Sequence, residues 1–198
     1  MRIAIVGGSG DFGRGLAVRL RALGEDVVLG SRNPHGELVP NAIACESADL
    51  AFLSVPPGAV EETVQGVRDR LAGKIIVSVA APIAFRDGKP GAEPGPISLA
   101  EVAQQTAPAS IVVAGFHTVS AALLARSDAP LDEDVLLAGD DAEAKAIVAG
   151  LADRLVEGRA VDAGRLEVAR WLETLTAVLL NVNRTYKANA GVRITGLD

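Results

Sequence analysis

The chain has 198 residues, of which 49% are hydrophobic and 3% aromatic, with a net charge of −6. That length and apolar content suit one domain spanning residues 1–198, able to bury a core of Val, Ile, Leu and Ala without a disulfide or metal. Basic and acidic residues are interleaved, which excludes the basic stripe of a nucleic-acid-binding surface.

The first apolar run, at 2–6, reads as a strand and is too short for the hydrophobic stretch of a signal peptide. A glycine-rich turn and an amphipathic helix over 12–23 follow, with Phe12, Leu16, Leu20 and Leu23 on one face. Further strands are predicted at 26–29, 50–54, 74–79, 110–114, 134–138 and 159–161, with a weaker one at 42–44. Helical patterns cover 59–71, 99–106 and 142–155. Strands alternating with helices through short connections imply parallel pairing, because each crossover needs a covering element. The expected fold is therefore α/β: a Rossmann-like, doubly wound, mostly parallel sheet with a C-terminal helix.

Two segments depart from that rhythm. Four prolines and three glycines between 82 and 96 predict a long irregular loop after a strand C-terminus, either a lid or pocket wall or a plain surface loop. The last helix, over about 166–188, carries Leu172, Leu175, Leu179, Val182 and Tyr186 on one face, with Trp171, Val178 and Leu180 off it. Apolar residues on more than one side predict a homodimer interface, packing on its own sheet being the alternative. Its Arg170, Glu173, Asn181, Asn183 and Arg184 rule out a membrane span, so a cytoplasmic location is expected. Glu167 and Glu173 read as solvated or interfacial. Cys45 has no disulfide partner, and His35 and His117 lack neighbours at ligand spacing, so no metal is expected.

Gly8, Gly10 and Gly13 fit G-x-G-x-x-G between the first strand and helix. In that context the first glycine permits a tight turn, the second lets the backbone approach a pyrophosphate, and the third lets helix and strand pack closely. The free N–H groups of the helix N-terminus face the phosphate charge. The second strand ends Leu29-Gly30-Ser31-Arg32, where an NAD-preferring domain places Asp or Glu. A guanidinium and a hydroxyl there suit a 2′-phosphate, so NADP is the expected dinucleotide. Each charge-assisted bond of this kind contributes about 1.5–3 kcal/mol.

The string Gly115-Phe116-His117-Thr118-Val119-Ser120-Ala121-Ala122-Leu123-Leu124 adds a resemblance. With the glycine turn, Gly30-Ser31-Arg32, Gly139-Asp140-Asp141, Val161-Asp162-Ala163-Gly164, Leu172-Glu173-Thr174-Leu175-Thr176 and Arg193-Ile194-Thr195-Gly196-Leu197, it resembles the NADPH-dependent reductases of coenzyme F420. The resemblance implies hydride transfer between NADP(H) and that deazaflavin. It implies that Ser9, Gly10, Asp11 and Phe12 line the pyrophosphate, with Ser31 and Arg32 at the 2′-phosphate. Val55, Pro56, Pro57, Ala80, Ala81 and Ala121 would lie along the dinucleotide. His117, Thr118 and Val119 would face the deazaflavin, with 191–195, including Gly191, Arg193 and Thr195, closing over the pocket. In the family a charged helix with a phosphate-binding lysine follows the Ser-Arg pair. Here that stretch is Asn33-Pro34-His35-Gly36-Glu37-Leu38-Val39-Pro40-Asn41, where a helix is improbable and the clamp rests on Ser31 and Arg32 alone.

Hydride transfer between two bound rings asks the protein mainly to stack them and exclude water. His117 is the candidate catalytic residue, positioning the substrate ring by a hydrogen bond or supplying a proton; the alternative is that it caps the short helix that follows. Arg86 and Lys89 are candidates to meet the anionic deazaflavin tail. Two other readings keep the same scaffold: an NADPH-dependent reductase of a flavin, ferric complex or small imine or keto compound, and a non-catalytic NADP sensor.

Overall fold

Over residues 1–126 and 129–197, the computed structural model has eight strands in one sheet and a separate two-stranded hairpin. In chain order the first half runs β1 (Arg2–Val6), α1 (Asp11–Ala22), β2 (Asp26–Ser31), β3 (Val39–Pro40), α2 (Asn41–Glu46), β4 (Leu50–Leu53), α3 (Val60–Val67) and β5 (Ile75–Ser78). The second half runs β6 (Ile83–Arg86), β7 (Lys89–Ala92), α4 (Leu99–Thr106), β8 (Ile111–Gly115), α5 (Ala121–Leu124), β9 (Val135–Gly139), α6 (Ala142–Ala152), β10 (Ala160–Gly164) and α7 (Ala169–Tyr186). The sheet order is β10-β9-β8-β5-β4-β1-β2-β3. The chain steps from β1 outward to β2 and then crosses to β4 on the other side, so a crevice opens above the C-terminal end of β1.

The central strands β1, β4, β5 and β8 are apolar on both faces. Ile3 and Ile5 of β1 pack with Leu16 and Leu20 of α1, whereas Ala4 and Val6 pack with Val60 and Val64 of α3 on the opposite side. This is the two-residue alternation of a strand covered by helices above and below. Each large apolar side chain buried this way contributes about 1.5–3 kcal/mol. The long core helices were legible in that pattern: α4 spans 99–106 as expected, and α1 and α6 lie within 12–23 and 142–155 to within a residue at their N-terminal ends.

Three expectations are corrected. Residues 42–44 belong to α2, because Pro40 ends the brief β3 pairing and starts a helix that buries Ala44 and Cys45. Over so short an apolar run, strand and helix periods cannot be told apart. The stretch 82–96 contains the antiparallel pair β6–β7, turned by Asp87 (φ 51°) and Gly88 (φ 69°). A two-residue turn with both φ positive matches the right-handed strand twist. The β8–β9 pair is antiparallel. The link between them holds the four-residue α5, which packs on α1 and spans no crossover. Glu173 is 1% exposed, neither solvated nor at an outer face. Its carboxylate accepts the Leu99 and Ala100 N–H groups at 2.9 and 3.0 Å, clasping α7 to the start of α4.

Candidate functional site

The turn after β1 is built by glycines with distinct duties. Gly7 has φ 82°, and a Cβ there would collide with the Ser54 carbonyl oxygen and stand 2.7 Å from Val55 Cγ1. The tight turn therefore belongs to Gly7, one residue before the motif glycine expected to make it. Gly8 donates its N–H to the Gly30 carbonyl at 2.8 Å, and a Cβ on it would stand 2.7 Å from Leu29 Cδ2. Gly13 lets α1 approach, since its Cβ would lie 2.9 Å from Gly8 Cα. Gly10 is different: a Cβ there meets nothing nearer than the Gly7 oxygen at 3.9 Å. The space before Gly10 is open, and the first turn of α1 points its free N–H groups at it.

That space is one end of a trough. A cavity of about 230 Å³ is lined by Gly7, Ser9, Gly10, Ser31, Arg32, Asn33, Asn41, Ser54, Val55, Pro56 and Ala59. Among the described residues no acidic side chain lines it and Arg32 pairs with no carboxylate, so its field favours an anion. Ser31 is 5% exposed and its Oγ accepts the Asn33 N–H at 3.1 Å, leaving its own hydrogen to donate outward. The cradle and the cation thus suit a pyrophosphate and a 2′-phosphate.

Ser54 and Val55 also line a second cavity of about 550 Å³, the other end of the trough. Of the expected residues, Phe12, Val55, Ala80, Ala81, His117, Thr118, Val119 and Ala121 line it. Its volume lies within the roughly 300–1,000 Å³ of small-molecule sites. The walls are mainly apolar, and His117 is their only titratable side chain among the described residues. The backbone just before it is strained, with Phe116 at φ 64° and its ring set edge-on to Phe52 at 5.4 Å.

His117 is 6% exposed, and both of its ring nitrogens are buried. Burial pushes its pKa down to about 4, opposed only in part by the Ala80 backbone. The ring is neutral at pH 7 and its nitrogens are covered, an arrangement that suits a wall and not a proton donor. The backbone carbonyl of His117 accepts the Thr176 hydroxyl at 2.8 Å, which ties this loop to α7.

The structure places other expected residues outside the lining. Asp11 and Pro57 flank the trough at the starts of α1 and of a 3-10 turn. Gly191, Arg193 and Thr195 run past the start of β9: the Asp134 N–H donates to the Val192 carbonyl, and Arg193 pairs with Asp132. The neighbouring Ala188, Asn189 and Ala190 line the cavity in their place. Arg86 pairs with Glu93 across the hairpin, and neither Arg86 nor Lys89 borders either cavity. Sequence reasoning missed the wall formed by Thr176, Leu179, Leu180 and Asn183 of α7, and missed Asn33 and Asn41 at the phosphate end. The Thr176–Leu179–Leu180–Asn183 spacing is itself a helical face, hidden because polar and apolar residues share it.

The family model described as NADP oxidoreductase coenzyme F420-dependent matches residues 2–82, which include the glycine turn and the Ser31–Arg32 pair. The F420-dependent NADP reductase of Methanocaldococcus jannaschii is 34% identical over the full length of both chains. The chain belongs to the F420-dependent NADP reductases. A crystal structure described as a putative F420-dependent NADP reductase from Arthrobacter superposes with a TM-score of 0.88 at 29% identity, covering 99% of this chain and all of that one. Metalloreductase STEAP3 of Rattus norvegicus is 35% identical over 87% of this chain, which spans only 36% of that protein. Among the described residues no helix is long and apolar enough to cross a membrane.

Proposed function

We propose that this protein is an NADP-dependent oxidoreductase that moves a hydride between NADP(H) and the deazaflavin coenzyme F420. The observation that carries the reading is a pair of cavities that share Ser54 and Val55, one with Gly10 and Arg32 in its wall and the other, about 550 Å³ and mainly apolar, beside His117. When bound, NADPH brings the hydride and the deazaflavin the accepting carbon. The chain's own residues bind, orient and exclude water. The α1 N-terminus and the Gly10 backbone hold the pyrophosphate, and Ser31 and Arg32 hold the 2′-phosphate. Phe12, Ala80, Ala81 and Ala121 wall the nicotinamide side, while His117, Thr118, Val119 and the inner face of α7 wall the deazaflavin side. Such a pocket accelerates transfer chiefly by stacking the two rings within reach and keeping water out.

The assembly we propose is a cytoplasmic homodimer. Trp171, Val178 and Tyr186 of α7 are 66, 56 and 76% exposed, an apolar outer face that a second copy would cover. NADPH mixed with oxidised F420 and purified protein is expected to bleach the deazaflavin's visible absorption. Reduction of a flavin or ferric complex in its place, with F420 untouched, would overturn the reading.

A further inference from the structure

The clamp on the 2′-phosphate has a third member that the chain carries round from the far side of a turn. After β2 the segment from Asn33 to Leu38 loops out, and β3 returns in parallel register, Val39 beside Gly30 and Pro40 beside Ser31. That two-residue return delivers Asn41 into the wall of the cavity that holds Ser31 and Arg32. The fit is tight and specific. Asn41 Oδ1 accepts the Gly7 N–H at 3.4 Å. A Cβ on Gly30 would stand 2.7 Å from that same oxygen and 3.1 Å from Asn41 Cα, so only glycine at 30 admits the side chain.

The hydrogen bond from Gly7 sets the orientation of the carboxamide. With the oxygen turned to a backbone donor, the amide nitrogen faces away from Gly7, and among the described residues its two N–H groups have no acceptor. They border a cavity with no acidic lining, beside a guanidinium. We infer that Asn41 is a specificity-determining residue, donating to the 2′-phosphate of NADP alongside Ser31 and Arg32. Its place is set by the β3 return and the start of α2. The inference rests on the proposed reading of this cavity as the dinucleotide's phosphate end. Asparagine suits the task because its amide donates without charge; aspartate at the same place keeps the shape and the Gly7 bond but turns a donor into an anion facing a dianion.

The test measures binding and needs no turnover. Dissociation constants for NADPH, NADH, 2′,5′-ADP and ADP are determined by fluorescence or calorimetry for the wild type, Asn41→Asp and Asn41→Ala, with thermal melts to verify folding. The Asp variant is expected to weaken NADPH and 2′,5′-ADP by about 10- to 100-fold and the Ala variant by about 5- to 20-fold, with NADH changing less than about threefold. Equal losses for NADPH and NADH, or no loss for either, would overturn the inference and leave Asn41 as a brace for the glycine turn. The wild type separates the two levels: no preference for 2′,5′-ADP over ADP sinks the cavity reading and Asn41's role together. A selective wild type whose variants keep that selectivity undiminished sinks only Asn41's role.

Discussion

Gly10 and Gly7 lie three residues apart in one turn, yet alanine at the two positions is expected to fail in opposite ways. At Gly10 the added methyl meets no protein atom within 3.9 Å and projects into the phosphate end of the trough. Gly10→Ala should therefore fold as the wild type does, with a melting temperature within about 2 °C, because surface changes away from packed features usually stay within about 0.5 kcal/mol. The methyl displaces the pyrophosphate from the backbone N–H groups. Losing one charge-assisted hydrogen bond at about 1.5–3 kcal/mol weakens NADPH by roughly 10- to 150-fold. At Gly7 the residue sits at φ 82° and the methyl collides with the Ser54 carbonyl and the Val55 side chain. The left-handed backbone alone costs about 1–2 kcal/mol, and moving β4's exit to relieve the collision raises the total to about 3 kcal/mol or more. The assay pairs thermal unfolding with fluorescence titration of NADPH. Comparable drops in melting temperature for the two variants would refute the division of labour, as would normal NADPH binding by Gly10→Ala.

Four further outcomes follow from the same geometry. Arg32→Ala should weaken NADPH by tenfold or more while leaving NADH nearly unchanged, as measured by direct titration. His117, neutral above a pKa of about 4, should leave no inflection near pH 6.5 in kcat/KM; an inflection there that disappears in His117→Gln would return it to a proton-transfer role. Glu173 has a pKa raised by burial to about 7, so the folded state holds its proton more tightly than the unfolded chain. Its stabilising contribution is full below the ordinary 4.5 and is lost as pH rises to about 7. The stability difference between wild type and Glu173→Gln, followed by denaturant unfolding from pH 4.5 to 7.5, should therefore fall with pH by up to about 3 kcal/mol; a flat or rising difference contradicts this. Trp171→Asp with Val178→Asp should convert the proposed dimer to monomer in analytical ultracentrifugation, and an unchanged sedimentation coefficient would exclude that face.

Much of the fold was legible because the buried strands and their covering helices carry long, repeated apolar patterns. β1, α1 and α4 are of that kind, and the phosphate site came with β1 because the glycines mark it. What escaped was short or shared. α2, β6 and β7 are four to six residues long, too few for a period to declare itself; Pro90 and Gly91 further masked the Asp87-Gly88 turn. The inner face of α7 mixes Thr176 and Asn183 with leucines because it borders a cavity, and an apolar-face criterion rejects it. In the tail, Ala188 to Ala190 reach the cavity, and Gly191 onward turns to the Asp132–Asp134 acids of β9's entry. Asn41's place depends on a two-residue parallel pairing that no local pattern announces.

The proposed reaction is direct transfer between two rings held side by side. NADPH deuterated at the reactive nicotinamide carbon, reacted with oxidised F420 in a single turnover, tests it most directly. Direct transfer puts the deuterium on the accepting carbon of the reduced deazaflavin, with a primary isotope effect on the bleaching rate. Deuterium lost to water, or no bleaching while a flavin or ferric complex is reduced, would contradict it.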